Sequence, residues 1–221
     1  MSHDLIDLIV QATGESLFMV AVAALLATLF GLPIGIFLAT SRKGELFAAP
    51  IANSILGVVV NATRSTPFII LVVAIIPFTR LVAGTSIGSG AAIVPLTIAA
   101  TPFIARLVEG AIREVDSGLI ETASSFGATP LQVVFKVLIP EALPGLVLAL
   151  TLAVVSLLGY SAMVGAVGGG GLGDLGIRYG YQRFMPDMML AVVIVLIALV
   201  QTVQTVGDYL ARRVNRRLRH R

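Results

Sequence analysis

The chain has 221 residues, of which 57% are hydrophobic and only 12% are charged, and its formal net charge at pH 7 is +3. Soluble domains usually carry about 25% charged residues, so this composition excludes an ordinary water-soluble domain. The sequence contains no cysteine, which excludes a disulfide framework and a thiolate metal site.

Five segments are apolar enough to cross the hydrocarbon core of a membrane as helices, which takes about 20 mostly apolar residues each. They are too long and too uniformly apolar for the strands of a membrane β-barrel. The sequence therefore predicts an all-α integral membrane protein with one transmembrane domain at 16–207. Its spans are predicted at 16–40, 55–78, 84–108, 143–163 and 187–207, between an N-terminal tail at 1–15 and a basic C-terminal tail at 208–221.

Basic residues are distributed unequally between the two sides of the membrane that five spans create. One side receives Arg42 and Lys43, then Arg113 and Lys136, and finally the arginine-rich C-terminal tail. Because segments rich in Lys and Arg stay in the cytoplasm, the N-terminus is predicted outside and the C-terminus in the cytoplasm. The basic tail is interpreted as an orientation anchor, with binding of anionic lipid as the alternative. Nucleic-acid binding is not expected of a tail this short.

The connection at 112–142, between the third and fourth spans, is moderately polar and contains two predicted short helices. Ser117 is placed to cap the first helix, in which Ala123 and Phe126 belong to one apolar face. Gly127 is placed to end this helix in a left-handed conformation. An exposed apolar face of this kind usually binds a partner.

The second helix of the connection has its own start and stop signals. Thr129 can cap it, Pro130 suits its first position, and Gln132 completes a capping box with Thr129. Pro140 and Pro144 are predicted to end it before the fourth span begins, because proline lacks the backbone N–H that a helix interior uses.

The connection resembles the EAA loop of ABC importer permeases, which reads E-A-A-x-x-x-G and continues to I-x-L-P. The matching residues are Glu121, Ala123, Gly127 and Pro140, and the departures are mild: Thr122 stands in place of an alanine, Val137 of an isoleucine and Ile139 of a leucine. The resemblance implies that the first short helix, with Phe126 at its end, is a coupling helix that docks on a cytoplasmic ATPase subunit. The alternative is an ordinary connection between helices.

Other stretches are similar to the methionine permeases of this family. They are R-S-T-P-F-I-I-L at 64–71, I-P-F-T-R at 76–80, A-A-I-V-P-L-T at 91–97, P-F-I-A-R at 102–106, P-E-A-L-P-G at 140–145 and G-Y-S-A-M at 159–163. The resemblance implies the type I ABC importer permease fold. It also implies uptake of methionine or a closely related amino acid across the bacterial cytoplasmic (inner) membrane.

The same resemblance implies the composition of the transporter. Two copies of this chain would work with two cytoplasmic ABC ATPase subunits and an extracytoplasmic methionine-binding lipoprotein. Five helices are few to enclose a pathway, which agrees with a homodimer whose pathway lies on its two-fold axis. ATP and Mg are expected on the partner ATPase, because this chain has no G-x-x-x-x-G-K-[ST] sequence and no cofactor site of its own. The chain is therefore predicted to be a transport subunit and not an enzyme.

Two patterns that point to enzymes are better explained otherwise. The G-x-G-x-x-G pattern at 168–173 follows a membrane span instead of a strand, so a flexible or tightly turned loop is predicted there. The G-Y-S-A sequence at 159–162 resembles the serine motif of intramembrane proteases. That chemistry needs a histidine near the serine, whereas His3 and His220 lie at opposite ends of the chain.

Four residues of the fourth span are candidates for lining a transport pathway, and helix packing is the alternative explanation for each. They are Ser156, Tyr160, Ser161 and Met163.

Arg64, Arg106 and Glu109 are charged residues within or near the predicted second and third spans. Arg64 is the only charge within 55–78, and it is explained either by reaching the membrane interface or by a structural or coupling role. Arg106 and Glu109 have the spacing of an ion pair at a helix end.

The competing function is that of a stand-alone secondary transporter or channel. Such proteins tend to show intramembrane carboxylates or internal repeats, and neither is evident in this sequence. A membrane enzyme is the more distant alternative.

Overall fold

The computed structural model describes residues 3–219 and the side chains of 5–215. Residues 1, 2, 220 and 221 of the two predicted tails lie outside this range. The described residues form helices and contain no strand, which agrees with the predicted all-α fold. The α-helices are α1 (His3–Thr40), α2 (Pro50–Ser65), α3 (Phe68–Ala74), α4 (Ile76–Ala83), α5 (Ser89–Arg113), α6 (Ser117–Ser125), α7 (Pro130–Val133), α8 (Ile139–Gly165), α9 (Gly171–Leu175) and α10 (Pro186–Arg219), with π-helical segments at Val134–Leu138 and Gly176–Gln182.

The second predicted span, 55–78, is not one continuous helix. Helix α2 ends at Ser65 and α3 begins at Phe68, with Pro67 immediately before it. Proline has no backbone N–H and disfavours a helical conformation in the residue before it, so the helix ends at this point. In the described chain, four helices are long and apolar enough to span a membrane. The count is five when the broken pair α2 and α3 is taken as one span.

The remaining spans differ from their predicted limits. Helix α1 already begins at His3, so the described part of the predicted N-terminal tail is helical. Helix α10 continues to Arg219 and includes most of the predicted basic tail. Helix α5 begins later than predicted, because Gly84 and Gly88 before it have φ values of +74° and +94°, which a helix does not accept. Runs of uncharged residues locate the apolar part of a helix and not its ends.

The prediction that Pro140 and Pro144 end the second helix of the connection is wrong. Helix α7, the π-helical segment Val134–Leu138 and α8 form one uninterrupted helical stretch from Pro130 to Gly165. In the π-helical segment the backbone N–H of Ile139 donates to the carbonyl of Val134, five residues earlier. A π-turn shifts the register of the helical hydrogen bonds, so the position directly after it can lack a backbone N–H without loss of a hydrogen bond. Pro140 occupies this position.

The chain divides into two compact units. Unit 1 consists of 1–27, 66–100 and 153–204. Its core contains Leu172 and Leu175 of α9, which pack with Ala12, Met188 and Val192. Unit 2 consists of 28–65, 101–152 and 205–221 and therefore contains both short helices of the connection.

Within unit 2, helices α1 and α5 cross at two glycines of α1. A Cβ atom on Gly31 would lie 2.9 Å from the carbonyl oxygen of Thr101, and one on Gly35 would lie 2.5 Å from that of Ala105. Neither position has room for a side chain. This small-xxx-small step therefore brings the two helix backbones together, as such steps commonly do in membrane proteins.

Candidate docking surface on helix α6

Helix α6 begins one residue earlier than the predicted cap suggests. The N-cap is Asp116, whose carboxylate Oδ1 accepts a hydrogen bond of 2.6 Å from the backbone N–H of Gly118. Ser117 is the first residue of the helix, so the prediction that it caps α6 is wrong. Both residues are common caps, but the charged carboxylate is the better partner for the positive end of a helix.

Helix α6 has no buried residue, although it is apolar along part of its surface. Phe126, its C-cap residue, is 87% exposed, and Leu119 is exposed as well. Glu121 and Thr122 are also exposed, whereas Ala123 is half-buried. We call Leu119, Glu121, Thr122 and Phe126 the α6 surface. An isolated helix of this length is marginally stable in water, so its capping and its attachment at both ends must hold it in place.

Gly127 forms the reversal after α6 that the sequence predicts. Its φ is +78°, in the left-handed region, and a Cβ atom at this position would meet nothing within 4 Å. The N–H of Gly127 donates to the carbonyl of Ser124, and the N–H of Ala128 donates to that of Ala123. This pair of bonds is a Schellman motif, which satisfies carbonyls at the end of a helix.

The next helix begins with the predicted capping box. The hydroxyl Oγ1 of Thr129 accepts from the N–H of Gln132 at 3.4 Å, and Oε1 of Gln132 accepts from the N–H of Thr129 at 2.9 Å. Pro130 occupies the first position of α7, as predicted. Pro140 of the motif lies further along the same helical stretch and is half-buried. The structure thus places Glu121, Thr122, Ala123, Phe126 and Gly127 together on α6 and its turn, and Pro140 apart from them.

A buried carboxylate lies near the end of α5, before α6 begins. The side chain of Glu109 is only 7% exposed, and its Oε2 lies 2.5 Å from Nη1 of Arg106, which confirms the predicted pair. Its Oε1 lies 2.8 Å from Nη2 of Arg113 and 3.4 Å from Nη2 of Arg42. We call Arg42, Arg106, Glu109 and Arg113 the Glu109 cluster.

The arginines of this cluster also reach backbone carbonyls of other helices. Nη2 of Arg106 donates to the carbonyl of Gly57 in α2 at 2.9 Å, and Nη2 of Arg113 donates to that of Leu38 in α1 at 3.2 Å. Sequence spacing could have added Arg113, which follows Glu109 by one helical turn. No local pattern could have added Arg42, because its contact with Glu109 depends on the tertiary fold.

Arg64 lies in the last turn of α2 and is exposed. Its guanidinium carbon lies 5.9 Å from the centre of the Phe103 ring, within the range of a cation–π contact. This contact gives the charge of Arg64 a partner within unit 2. It is compatible both with a side chain that reaches the membrane interface and with a structural or coupling role.

The four candidate pathway residues of α8 have different environments. Ser161 is 1% exposed, and its hydroxyl donates to the carbonyl of Leu158 in its own helix, which favours the packing explanation. Tyr160 is half-buried and stacks on Phe68, with ring centroids 4.4 Å apart. Met163 is 50% exposed, and Ser156 is half-buried. Met163 is the most accessible of the four.

The glycine-rich segment at 168–173 forms a tight turn that leads into α9. Gly168, Gly170 and Gly171 all have positive φ values between +72° and +86°. The carboxylate of Glu15 accepts from the N–H of Gly171, and the hydroxyl of Ser16 accepts from that of Leu172, both at 2.9 Å. These two side chains of α1 thus cap α9. The segment is a packed turn of unit 1, which agrees with the predicted tightly turned loop and not with a nucleotide site.

Comparison with known proteins places this arrangement in context. Residues 31–220 match the family model described as "Binding-protein-dependent transport system inner membrane component". The "Probable D-methionine transport system permease protein MetI" of Vibrio cholerae is 53% identical over 211 residues, which are 96% of this chain and 94% of the relative. The "D-methionine transport system permease protein MetI" of Escherichia coli K12 is 50% identical over 165 residues, covering 75% of this chain and 76% of the relative.

A solved structure has the same fold. One chain of the structure described as "Inward facing conformations of the MetNI methionine ABC transporter" superposes with a TM-score of 0.95 at 48% sequence identity. The match covers 97% of this chain and 99% of the solved chain. A chain from an amino acid ABC transporter crystallised with histidines has a TM-score of 0.78 at 19% identity, which extends the fold, but no more, to a distant relative.

Proposed function

The chain belongs to the family of inner membrane components of binding-protein-dependent transport systems, and from this premise we propose that it is the membrane-spanning permease subunit of an ABC importer for methionine. Its likeness to methionine permeases extends over almost the whole chain, both in sequence and in fold. Methionine or a closely related amino acid is therefore the proposed solute, which crosses the cytoplasmic membrane.

The single observation that carries the coupling mechanism is the α6 surface. A short helix with no buried residue, capped at both ends and carrying a phenylalanine that is 87% exposed, has the features of a docking element. We propose that it docks on the cytoplasmic ABC ATPase, with Glu121, Thr122, Ala123 and Phe126 at or near the contact. Gly127 and the helix that contains Pro140 would hold it in position.

The energy for transport comes from that partner. The sequence of this chain contains no phosphate-binding loop, so ATP and Mg are proposed to bind to the ATPase subunit. In the described residues no group of histidine and carboxylate side chains is suited to hold a metal ion. Binding of ATP would close the ATPase pair, and α6 would follow it and change the conformation of the helices.

The proposed complex contains two copies of this chain, two ATPase subunits and an extracytoplasmic methionine-binding lipoprotein. The solved relative is described as a MetNI transporter, and its permease chain has the same fold as this one. Large apolar side chains of α10 such as Leu190, Ile194 and Ile197 are more than half exposed in the single chain, as expected of surfaces that face lipid or a second copy. The N-terminus is proposed to lie outside and the C-terminus in the cytoplasm.

The buried Glu109 bears on the alternative of a secondary transporter. An intramembrane carboxylate can carry protons in such proteins. Here three arginine side chains bind the two carboxylate oxygens, so the carboxylate is part of an ion-pair cluster that holds helices together. The cluster therefore favours a structural role over proton coupling.

The test compares two exposed phenylalanines. Phe126 is 87% exposed on the α6 surface, and Phe184 is 85% exposed in the segment before α10. We expect Phe126→Asp to abolish co-purification of the co-expressed ATPase subunit, since a central aromatic residue of an interface commonly contributes about 2 kcal/mol or more. Phe184→Asp should leave co-purification unchanged. A separate measurement of methionine uptake by the reconstituted wild-type complex, with its binding protein, tests whether methionine is the transported solute.

Two outcomes would contradict the proposal. Equal recovery of the ATPase with both variants would show that α6 is not the docking element. Absence of ATP-dependent methionine uptake by the intact wild-type complex would show that the solute is a different one.

A further inference from the structure

The Glu109 cluster connects α5 to the end of α1 through one buried carboxylate, and its Arg106 reaches α2. Arg106, Glu109 and Arg113 lie on consecutive turns of α5, and Arg42 follows the end of α1. Both carboxylate oxygens are used, Oε2 by Arg106 and Oε1 by Arg113 and Arg42. Removing Glu109 would therefore take the ion-pair partner from all three arginines at once, and Arg106 and Arg113 would keep only their hydrogen bonds to backbone carbonyls.

The same arginines attach α5 to the backbones of its neighbours. Arg106 reaches the carbonyl of Gly57 in α2, and Arg113 reaches that of Leu38 near the end of α1. Asn53 of α2 donates to the same Leu38 carbonyl and to the hydroxyl of Ser41, both at 2.9 Å. The ends of α1, α2 and α5 are thus connected by a continuous polar network inside unit 2.

In the sequence, this network comes shortly before the α6 surface. Arg113 is the last residue of α5, and Asp116, which follows shortly after, caps α6. Cluster and α6 belong to the same compact unit. A displacement of α6 would therefore act on the end of α5 at Arg113, where the cluster attaches α5 to α1 and α2.

Stability alone is a weak reason for such a cluster. A buried ion pair recovers little of its desolvation penalty, and well-packed apolar residues often replace it without loss of stability. What the cluster supplies is geometry, since planar guanidinium groups bind a carboxylate in defined directions. Apolar packing at the glycine crossing of α1 and α5 has no comparable directionality.

We infer that Glu109 is a positioning residue, through which displacement of α6 on the ATPase is passed to α1 and α2. This inference rests on the proposed function and adds a named element to it. With Glu109 in place, α6 and the three helix ends move as one body. Without it, α6 still docks and ATP is still hydrolysed, but part of the displacement is lost before it reaches the spans.

The experiment measures coupling in the complete transporter. Glu109→Gln keeps the size of the side chain and one hydrogen-bond acceptor but removes the charge. In proteoliposomes with the binding protein, we expect ATPase co-purification to be unchanged and methionine uptake per ATP hydrolysed to fall by about fivefold or more, as for loss of a typical coupling free energy. Glu114→Gln is the matched control, because Glu114 is exposed on the same chain segment and lies outside the cluster.

A second variant covers the case in which Glu109→Gln does not fold. Arg42 is half-exposed, and Arg42→Gln leaves two arginines to neutralise Glu109. It should lower uptake per ATP in the same direction but less strongly. Arg212→Gln removes the same charge from an exposed position of α10 and should have no effect on this ratio.

The possible results separate the inference from the function on which it rests. If Glu109→Gln and Arg42→Gln lower only the yield of folded complex, with normal uptake per ATP, the cluster is merely structural and the inference is overturned. If wild-type vesicles show no ATP-dependent methionine uptake, the proposed function fails instead. A lowered ratio in both variants, with normal ratios in Glu114→Gln and Arg212→Gln, supports the inference.

Discussion

Gly127→Val tests whether the reversal after α6 connects docking to transport. The φ of Gly127 is +78°, and a Cβ atom there would meet nothing within 4 Å. The substitution therefore creates no collision, and its effect comes from backbone strain alone. An L-residue in the left-handed region is disfavoured by about 1–2 kcal/mol, and a β-branched residue is among the worst for it.

That strain is large compared with the local stability of α6. The helix runs only from Ser117 to Ser125 and has no fully buried residue, so little packing opposes a change in its direction. A free-energy change of 1–2 kcal/mol alters the ratio of two conformations by a factor of about 5–30. We expect the Schellman motif at Gly127 to open, so that α6 is misdirected while the spans remain intact.

The assay is methionine uptake and ATPase activity in proteoliposomes, at equal amounts of permease. Uptake by Gly127→Val should fall by about fivefold or more, in line with the loss of the native turn. The ATPase should either dissociate or hydrolyse ATP without responding to the loaded binding protein. Gly127→Asn should retain most of the uptake, because asparagine enters the left-handed region more easily than other residues do.

Gly84→Val is the matched control for strain. Gly84 has a φ of +74°, caps α4, and also has nothing within 4 Å of a Cβ atom. The two substitutions therefore carry similar strain at different places in the chain. Normal uptake by Gly127→Val, or an equal loss in Gly84→Val with the ATPase still bound, would refute the reasoning that the turn at Gly127 transmits motion.

Two further predictions concern packing and topology. Gly35→Leu should lower the free energy of unfolding of the detergent-solubilised protein by about 1–3 kcal/mol, since overpacking a tight contact has that effect. Gly14→Leu should not lower it, because nothing lies within 4 Å of a Cβ atom at Gly14. Equal melting temperatures of the two variants would contradict the close crossing of α1 and α5. Because the chain has no cysteine, single cysteines can report the orientation. Thr85→Cys should react with an impermeant maleimide in spheroplasts and Ser125→Cys should not, and the reverse pattern would invert the proposed topology.

Local signals predicted the turn and cap chemistry of the connection well. The left-handed Gly127, the Thr129–Gln132 capping box and Pro130 at a first helical position are all present in the structure. Each of these depends on interactions within a few residues of the chain, which a sequence shows directly. The sequence predicts the cap of α6 at Ser117, one residue after the observed cap Asp116, because Ser and Asp are both favoured at this position.

The effect of a proline is harder to predict from sequence, because it depends on the hydrogen bonds around the proline. Pro67 ends α2, whereas Pro140 and Pro144 lie within a continuous helical stretch. The π-helical segment Val134–Leu138 explains why the helix continues through Pro140, and no sequence pattern predicts this segment. Similarly, uncharged runs located the spans but not the helix ends, since helices continue beyond the apolar part.

What the sequence determined by itself is the all-α membrane architecture and the short helix with an exposed apolar face, whereas the structure shows the second of the five predicted spans as a broken helix pair. These follow from hydropathy, periodicity and motif spacing, all of which are local along the chain. Only the tertiary structure showed that Glu109 is buried and binds Arg42, which lies 67 residues earlier in the chain. Contacts between distant segments depend on how the helices pack, and burial of a charge is defined only after packing has removed the water around it.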